Sequence, residues 1–356
     1  MAHGRQTLDG LGKLIIYSGI TMANGSQKWM MVLPPEGAAR QVGERAWESL
    51  CDILPVERRK LFDTKIYLDA FDRILKQPTD NMVVDLTSQA LVVQSLDFNV
   101  THILVLALAP IPRFTVDLLK RQGIVTLHWF FEDFREAKYW KEVLPCYDHF
   151  LGIQRGPLAE ACAAAGTRFH YMPTAFMLPS RSQVKSWQDR PEGISFIGFP
   201  SPYRIEVLEA LVKDGLPLRV AGAGWLKYVG PLEDHLTGKG WFGPEDAFKL
   251  LDGSRIGLHL PSEDPRADRG NSHLSPRIFD IMAAGCLLLS EEAPLIQETL
   301  KDCVYREFRG PVEAVQAARK ALSEGISAES LAANRAIMQR DHTFAHRMAQ
   351  ILALVA

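Results

Sequence analysis

From about residue 80 onward the chain alternates short apolar runs with amphipathic stretches, and nothing else in the sequence constrains the fold as much. In the second half the apolar runs are "ISFIG" (194–198), "LRVAG" (218–222), "RIGLHL" (255–260), "CLLLS" (286–290) and "VYREF" (304–308). They are continuous rather than alternating, as strands covered on both faces by crossover helices must be. The stretches "YRIEVLEALVKDG", "PEDAFKLLDG", "SPRIFDIMAAG" and "PVEAVQAARKALSEG" follow them with helical spacing and end at glycine. In the first half "KLIIYSG" (13–19), "THILVLAL" (101–108), "IVTLHWF" (124–130) and "HFLGIQ" (149–154) read as strands. "RFTVDLLKRQG" (113–123) and "PLAEACAAAG" (157–166) read as helices. This repetition predicts an α/β fold with a doubly wound parallel sheet in each half. The polar stretch "LPSRSQVKSWQDRPEG" (178–193), with prolines near both ends, reads as the linker between them. Residues 20–80 are the least periodic, and the turns "NGSQKW" and "LPPEG" predict hairpin or insertion structure there.

A length of 356 residues accommodates two domains, each with its own core. The formal net charge of −2 gives no electrostatic reason to expect nucleic acid as a partner. The 5 cysteines, at 51, 146, 162, 286 and 303, are scattered without a CxxC pair. They read as reduced thiols, not as a disulfide framework or structural zinc site. No apolar run approaches the ~20 residues of a membrane span, and "MAHGRQTLDG" has no apolar leader core. The expected location is the cytoplasm.

The stretch "NSHLSPRIFDIMAAGCLLLS" (271–290) places Asn271, Ser272, His273 and Ser275 directly before an apolar helix. Ser275-Pro276 is a strong helix start, a hydroxyl cap followed by proline. Exposed amides and the positive end of the helix dipole suit such a start to phosphate. Arg277 adds a guanidinium able to grip a diphosphate, and Asp280, one turn on, can accept bonds from ribose hydroxyls. An ordinary capped helix with a solvated Arg277–Asp280 pair would show the same residues. The position favours a ligand: the long loop 261–274 leaves the carboxyl end of a strand, where doubly wound sheets bind. "FPSPYR" after residue 198 and "AGW" (223–225) fall at the same end of the same sheet. They add Gly198, Tyr203, Gly224 and Trp225 as candidate ligand-binding residues beside His273, Ser275, Arg277 and Asp280. The lone G-A-G lacks the form of a nicotinamide-binding fingerprint.

From "ISFIGFPSPYRIEVLEAL" to "RDHTFAHRMAQIL", about residues 194–352, the chain resembles the CgeB-like (spore maturation protein-like) glycosyltransferases. These are family 1/family 4-like enzymes of the GT-B fold. "R-x-F-D-x-M-A-x-G" (277–285) and "HTFAHR" (342–347) carry the resemblance most specifically. It implies two facing Rossmann-like domains, with an acceptor-side domain over residues 1–185 and a nucleotide-sugar domain over 186–340. Residues 341–356 would form a helix crossing the junction, with His342, Thr343 and Arg347 structural. Arg277 falls where the family has a basic residue near the donor phosphates, and Asp280 where related enzymes have a ribose-binding glutamate. The earlier acidic position of that pattern falls at Ser272, which is not acidic. On the acceptor side, "HWFFEDF" (128–134) offers His128, Glu132 and Asp133 as catalytic candidates, Asp133 first. No D-x-D motif occurs, so no metal is expected, and the nucleoside diphosphate sugar is a co-substrate rather than a cofactor.

The leading function is transfer of a sugar from that donor to an acceptor hydroxyl of a glycan, protein or small molecule. A non-catalytic nucleotide- or glycan-binding protein on the same scaffold is the alternative that the departure at Ser272 favours. A nucleotide-sugar epimerase has no specific support.

Overall fold

The computed structural model describes residues 27–74, 80–178, 185–191, 193–238, 240–268 and 273–356. The first sheet holds β1 (Trp29–Leu33), β2 (Arg59–Asp63), β3 (His102–Leu106), β4 (Val125–Phe130), β5 (His149–Gly152) and β6 (Arg168–Tyr171), in the order β2-β1-β3-β4-β5-β6. The second holds β7 (Ile194–Ile197), β8 (Leu218–Ala221), β9 (Leu236–Gly238), β10 (Ile256–His259), β11 (Leu287–Glu291) and β12 (Arg306–Phe308), in the order β12-β11-β10-β7-β8-β9. Both have six strands, and every pairing is parallel. Among the described residues no strand is shared between them.

Burial explains the continuous apolar runs. Every residue of β1, β3, β10 and β11 is buried, because helices cover both faces. On one face of the first sheet Trp29, Met31, Leu104 and Trp129 pack with Val42, Ala46 and Leu50 of helix Gly37–Ile53. On the other, Met30, Val32, Ile103 and Val105 meet Leu91, Val116 and Leu119.

Two expectations change. Residues 29–63 form no hairpin: β1 and β2 are parallel, joined by helix Gly37–Ile53, and "LPPEG" is the turn into that helix. The run "WMMVL" is a fully buried central strand with no flanking alternation to announce it. The strand expected at 13–19 lies outside the described residues. Part of the stretch read as a polar linker is anchored: Trp187 is buried in the second core, and Arg190 donates to the carbonyls of Leu251, Ser254 and Ala284.

After β12 the chain forms helices Gly310–Glu324 and Ala328–Asp341, the latter packed on helix Pro276–Ala283. The last helix, Phe344–Ala353, then leaves the second sheet and packs on the first. Phe344, Met348, Ile351 and Leu352 join the cluster of Trp29 and Trp129. His342 stacks on Phe279 with ring centroids 4.8 Å apart, and Arg347 is buried.

Several buried histidines are held neutral. Burial pushes His102, His149 and His342 down to about 4 and His128 and His259 to about 3. In the unfolded chain such rings titrate near ~6.5. As pH falls the unfolded state takes up protons first, so stability is full above pH ~6.5 and is lost progressively toward pH ~4. Urea midpoints should therefore fall as pH drops through this window. His128→Phe, which keeps the stacking on Tyr147, should flatten the slope; an unchanged slope would assign the acid sensitivity to the other rings.

Candidate functional site

Loops leaving the carboxyl ends of strands in both sheets meet at a cleft. In the second half, Ser275 caps helix Pro276–Ala283 by accepting the Arg277 amide at 3.2 Å. Ile278, Phe279, Ile281 and Met282 are buried in the core, which leaves Arg277 on the open side. A cavity of about 270 Å³ lies in front of this helix. Ala38, Gln41 and Val42, from the first half, form one wall. Gly198 and Phe199, Gly222 and Ala223, Trp241 and Phe242, and Ser275, Arg277 and Asp280 line it from the second half.

Of the expected donor-side residues, Gly198, Ser275, Arg277 and Asp280 line this cavity. The structure places Trp225 and Tyr203 behind the wall. Trp225 is fully buried and its Nε1 donates to the Gly198 carbonyl at 2.8 Å; the Tyr203 hydroxyl donates to Glu291. Gly224 has a φ of 90° and starts the turn that carries Trp225. Asp280 is buried, and burial raises its carboxyl against the pull of Arg277 and two amides. Its Oδ1 accepts the amides of Met177 at 2.6 Å and Leu178 at 3.2 Å, while Oδ2 meets Arg277 at 3.0 Å.

Arg204 is a cavity residue that the sequence reading passed over, although it directly follows Tyr203. Its guanidinium donates to the carbonyls of Leu260, at 2.9 Å, and Phe199, at 3.0 Å. Burial pushes it down to about 10, with Glu263 and Glu136 opposing. His259, at the end of β10, is depressed first by burial and then by His273, Arg204 and Arg277. Positive charge therefore gathers around the end of this strand.

His273 lies next to this group and meets Asp133 from the first half, Nδ1 to Oδ2, at 3.3 Å. Asp133 also accepts from the Arg135 amide at 2.8 Å, the Arg135 guanidinium at 2.6 and 2.9 Å, and Gln154 Nε2 at 3.1 Å. Burial pushes the Asp133 carboxyl up, but His273 and Arg135 outweigh it and hold the group well below the usual carboxylate range. Arg135 continues across the cleft to Glu263 at 2.9 Å. Glu132 shows the opposite balance: burial raises it, His273 lowers it and Asp133 raises it further. His128 lies deep in the first sheet, stacked on Tyr147, with no hydrogen-bond partner on either ring nitrogen. Asp133, Glu263 and His273 offer ligand atoms within 4.8 Å of one another, the spacing of a cation site, but the Arg135 guanidinium sits on both carboxylates.

Comparison with known proteins bears on this arrangement. A family model described as "Glycosyl transferase-like" matches residues 204–353. That span includes Arg204, His273 and the helix of Arg277. Sucrose-phosphate synthase (tll1590) from Thermosynechococcus elongatus superposes with a TM-score of 0.59 at 12% identity, over 92% of this chain and 96% of that one. A glycosyltransferase from Rickettsia africae ESF-5 gives 0.59 at 11% identity, over 93% and 98%. Anabaena Alr3699/HepE, solved in complex with UDP-glucose, gives 0.58 at 10%, over 92% and 98%. No curated protein sequence matches the chain. The fold is GT-B, and the glycosyl transferase-like match lies within its second half.

The wall of the cavity depends on a close backbone approach. Gly222 has a φ of 135°, and a Cβ there runs into the Gly198 carbonyl that Trp225 holds. Gly222→Ala should lower unfolding stability by roughly 1–3 kcal/mol in urea titrations. A variant as stable as the parent would show that this wall can shift.

Proposed function

We propose that this protein is a glycosyltransferase that moves a sugar from a nucleoside diphosphate donor to an acceptor hydroxyl. The observation that carries the reading is the cavity between the halves. Arg204, Arg277 and the Ser275-capped helix start face a wall supplied by the first half. Guanidiniums and a helix N-terminus suit a diphosphate, and Trp241 and Phe242 suit a flat base. Asp280 keeps Oδ2, shared with Arg277, for the ribose. The fold shared with a UDP-glucose-binding protein makes UDP-glucose the first donor to try.

The acceptor oxygen forms a bond to the anomeric carbon as the bond from that carbon to the diphosphate oxygen breaks. The electron pair leaves with the nucleoside diphosphate, whose charge Arg204, Arg277 and the helix start receive. Glu132 takes the hydroxyl proton. Burial raises its carboxyl, which suits a proton acceptor. Asp133 is committed to Arg135, Gln154 and His273, so it holds those groups in place instead. The Arg135 guanidinium already supplies a cation between Asp133 and Glu263, which supports metal-independent transfer. The segments at 277–285 and 342–347 support a CgeB-like subfamily. The packing supports domains over 1–185 and 186–340 with 341–356 crossing between them. Among the described residues no helix is long and apolar enough to cross a membrane.

A non-catalytic binder is the second reading, favoured by the commitment of Asp280 Oδ1 to the amides of Met177 and Leu178. Screening UDP-, GDP-, dTDP- and CDP-sugars for binding and for hydrolysis or transfer separates the two. A bound donor that is never cleaved would establish the binder.

Arg277→Ala should weaken donor binding roughly tenfold to hundredfold, the loss of a charge-assisted hydrogen bond of ~1.5–3 kcal/mol. Unchanged affinity by calorimetry would place the phosphates elsewhere. Glu132→Gln should lower kcat at least ~100-fold while donor affinity holds. The acid limb of the parent's pH–rate profile should lie above the usual carboxylate range, because burial raises Glu132. Near-normal turnover in this variant would exclude Glu132 as the proton acceptor. Asp133→Asn should lower turnover less steeply, since the amide still accepts from Arg135.

A further inference from the structure

A surface helix normally turns its large apolar side chains toward the core. Helix Asp80–Asp97 does this only in part. Its buried side carries Leu91 together with Thr87, Ser88 and Ser95. Its outer side carries Met82, Leu86, Val93 and Leu96, which are between 41% and 64% exposed. Steps of four, seven and three residues, with Gln89 in the middle, place these four on one straight stripe along the helix.

Helix Arg113–Arg121 widens the stripe into a face. It packs beside helix Asp80–Asp97, and Val116 and Leu119 share a core cluster with Leu91. Lys120 reaches the Cys146 carbonyl at 3.4 Å and Asp148 at 3.0 Å, so the flank it shares with Arg113 and Asp117 is turned toward β5. Phe114 and Leu118, one turn apart on the other flank, are turned toward helix Asp80–Asp97 and are 57% and 39% exposed. The six side chains expose on the order of 500 Å² between them, the upper range for one patch on a monomer. Within the ~800 Å² that each partner covers in a stable pair, that is close to the apolar share of ~65% found in homodimers.

Two properties of the face select another copy of itself. The stripe reads the same in both directions about Gln89: Leu86 and Val93 stand on either side of it, and Met82 and Leu96 lie one step further out. Laid antiparallel on its copy, the helix sets Leu86 on Val93 and Met82 on Leu96 around a single axis, as an isologous contact requires. The charges also match. Lys28 and Lys60 stand 5.0 and 5.5 Å from the Phe98 ring, just past the end of the helix. Both helices lead into neighbouring parallel strands, so Arg121 ends at this same edge and only Asp97 opposes the three cations. The antiparallel arrangement brings this basic end over Asp85 of the copy.

We propose that helices Asp80–Asp97 of two copies pack antiparallel about Gln89, with Phe114 and Leu118 completing the contact, so that the protein is a homodimer joined back to back. Helix Gly37–Ile53, whose Ala38, Gln41 and Val42 line the cavity, covers the other face of the first sheet, so both clefts stay open.

Light scattering on the full chain after gel filtration should give twice the single-chain mass of 39.8 kDa. Leu86→Lys and Val93→Glu, each alone, should reduce the mass to that of one chain. Their urea midpoints should hold, because exposed positions tolerate substitution. Combined in one chain, the two substitutions bring opposite charges together across the axis and should restore the double mass. A monomeric parent overturns the proposal, including one that sediments with phosphatidylglycerol vesicles, as a lipid-facing surface would. A double mass that survives in both folded single variants overturns it, and so does a combined variant that stays at the mass of one chain.

Discussion

The cleft depends on a connection that has no secondary structure of its own. Residues 172–177 run irregularly between the first sheet and the second, and much of this stretch is buried. Backbone polar groups buried in this way need partners, and here side chains from distant elements supply many of them. Trp129 Nε1 donates to the Met172 carbonyl, and Arg347 donates to those of Pro173 and Thr174. The Phe176 amide donates to the His342 carbonyl, and Asp280 accepts the amides of Met177 and Leu178. Buried charges are tolerable when they are this fully bonded. Burial pushes Arg347 down to about 10, which leaves it charged at any ordinary pH. The ring of bonds couples the last helix, the helix of Arg277 and the connecting segment.

That coupling gives the cleft its electrical polarity. The second half contributes Arg204, Arg277 and the capped helix start. The first contributes Glu132 and Asp133 from the loop after β4. Asp133 meets His273 across the gap and Arg135 pairs with Glu263, and further out Arg155 and Glu298 form a two-bond fork at 2.8 and 2.9 Å. Exposed pairs such as Arg155–Glu298 add little stability. The inner pairs are shielded from solvent, and they fix where the carboxylates stand relative to the arginines.

Sequence alone made the second half legible because each of its central strands is a continuous apolar run and helices Pro202–Lys213, Pro244–Asp252, Pro276–Ala283 and Gly310–Glu324 stop within two residues of a glycine. Before residue 80 the same logic failed. β1 is a run of five buried residues, and its parallel partner β2 is mostly half-buried, "RKLFD", which imitates a surface segment. The helix start at Ser275 could be read because capping is local chemistry. Arg190 could not: it sits in a polar stretch that resembles a linker, and only the tertiary structure brings its guanidinium under the carbonyls of Leu251, Ser254 and Ala284. Asp133 and His273 were both singled out, but in separate roles, since nothing in local spacing shows that residues so far apart in the chain will touch. Arg204 carries no local signal either, since only the fold brings the carbonyls of Phe199 and Leu260 to its guanidinium.

The family model spans only residues 204–353 while the fold similarity spans more than nine-tenths of the chain, and the two follow different physics. A parallel sheet asks only that strands be apolar and helices amphipathic, which many unrelated sequences satisfy, so the fold persists at 12% identity. A family model asks for particular side chains at particular positions, so its match covers a shorter span. Asp280 stands at the junction itself. It gives one oxygen to the backbone of the connecting segment and shares the other with Arg277. Its carboxylate therefore ties the helix of Arg277 to the segment that leaves the first sheet.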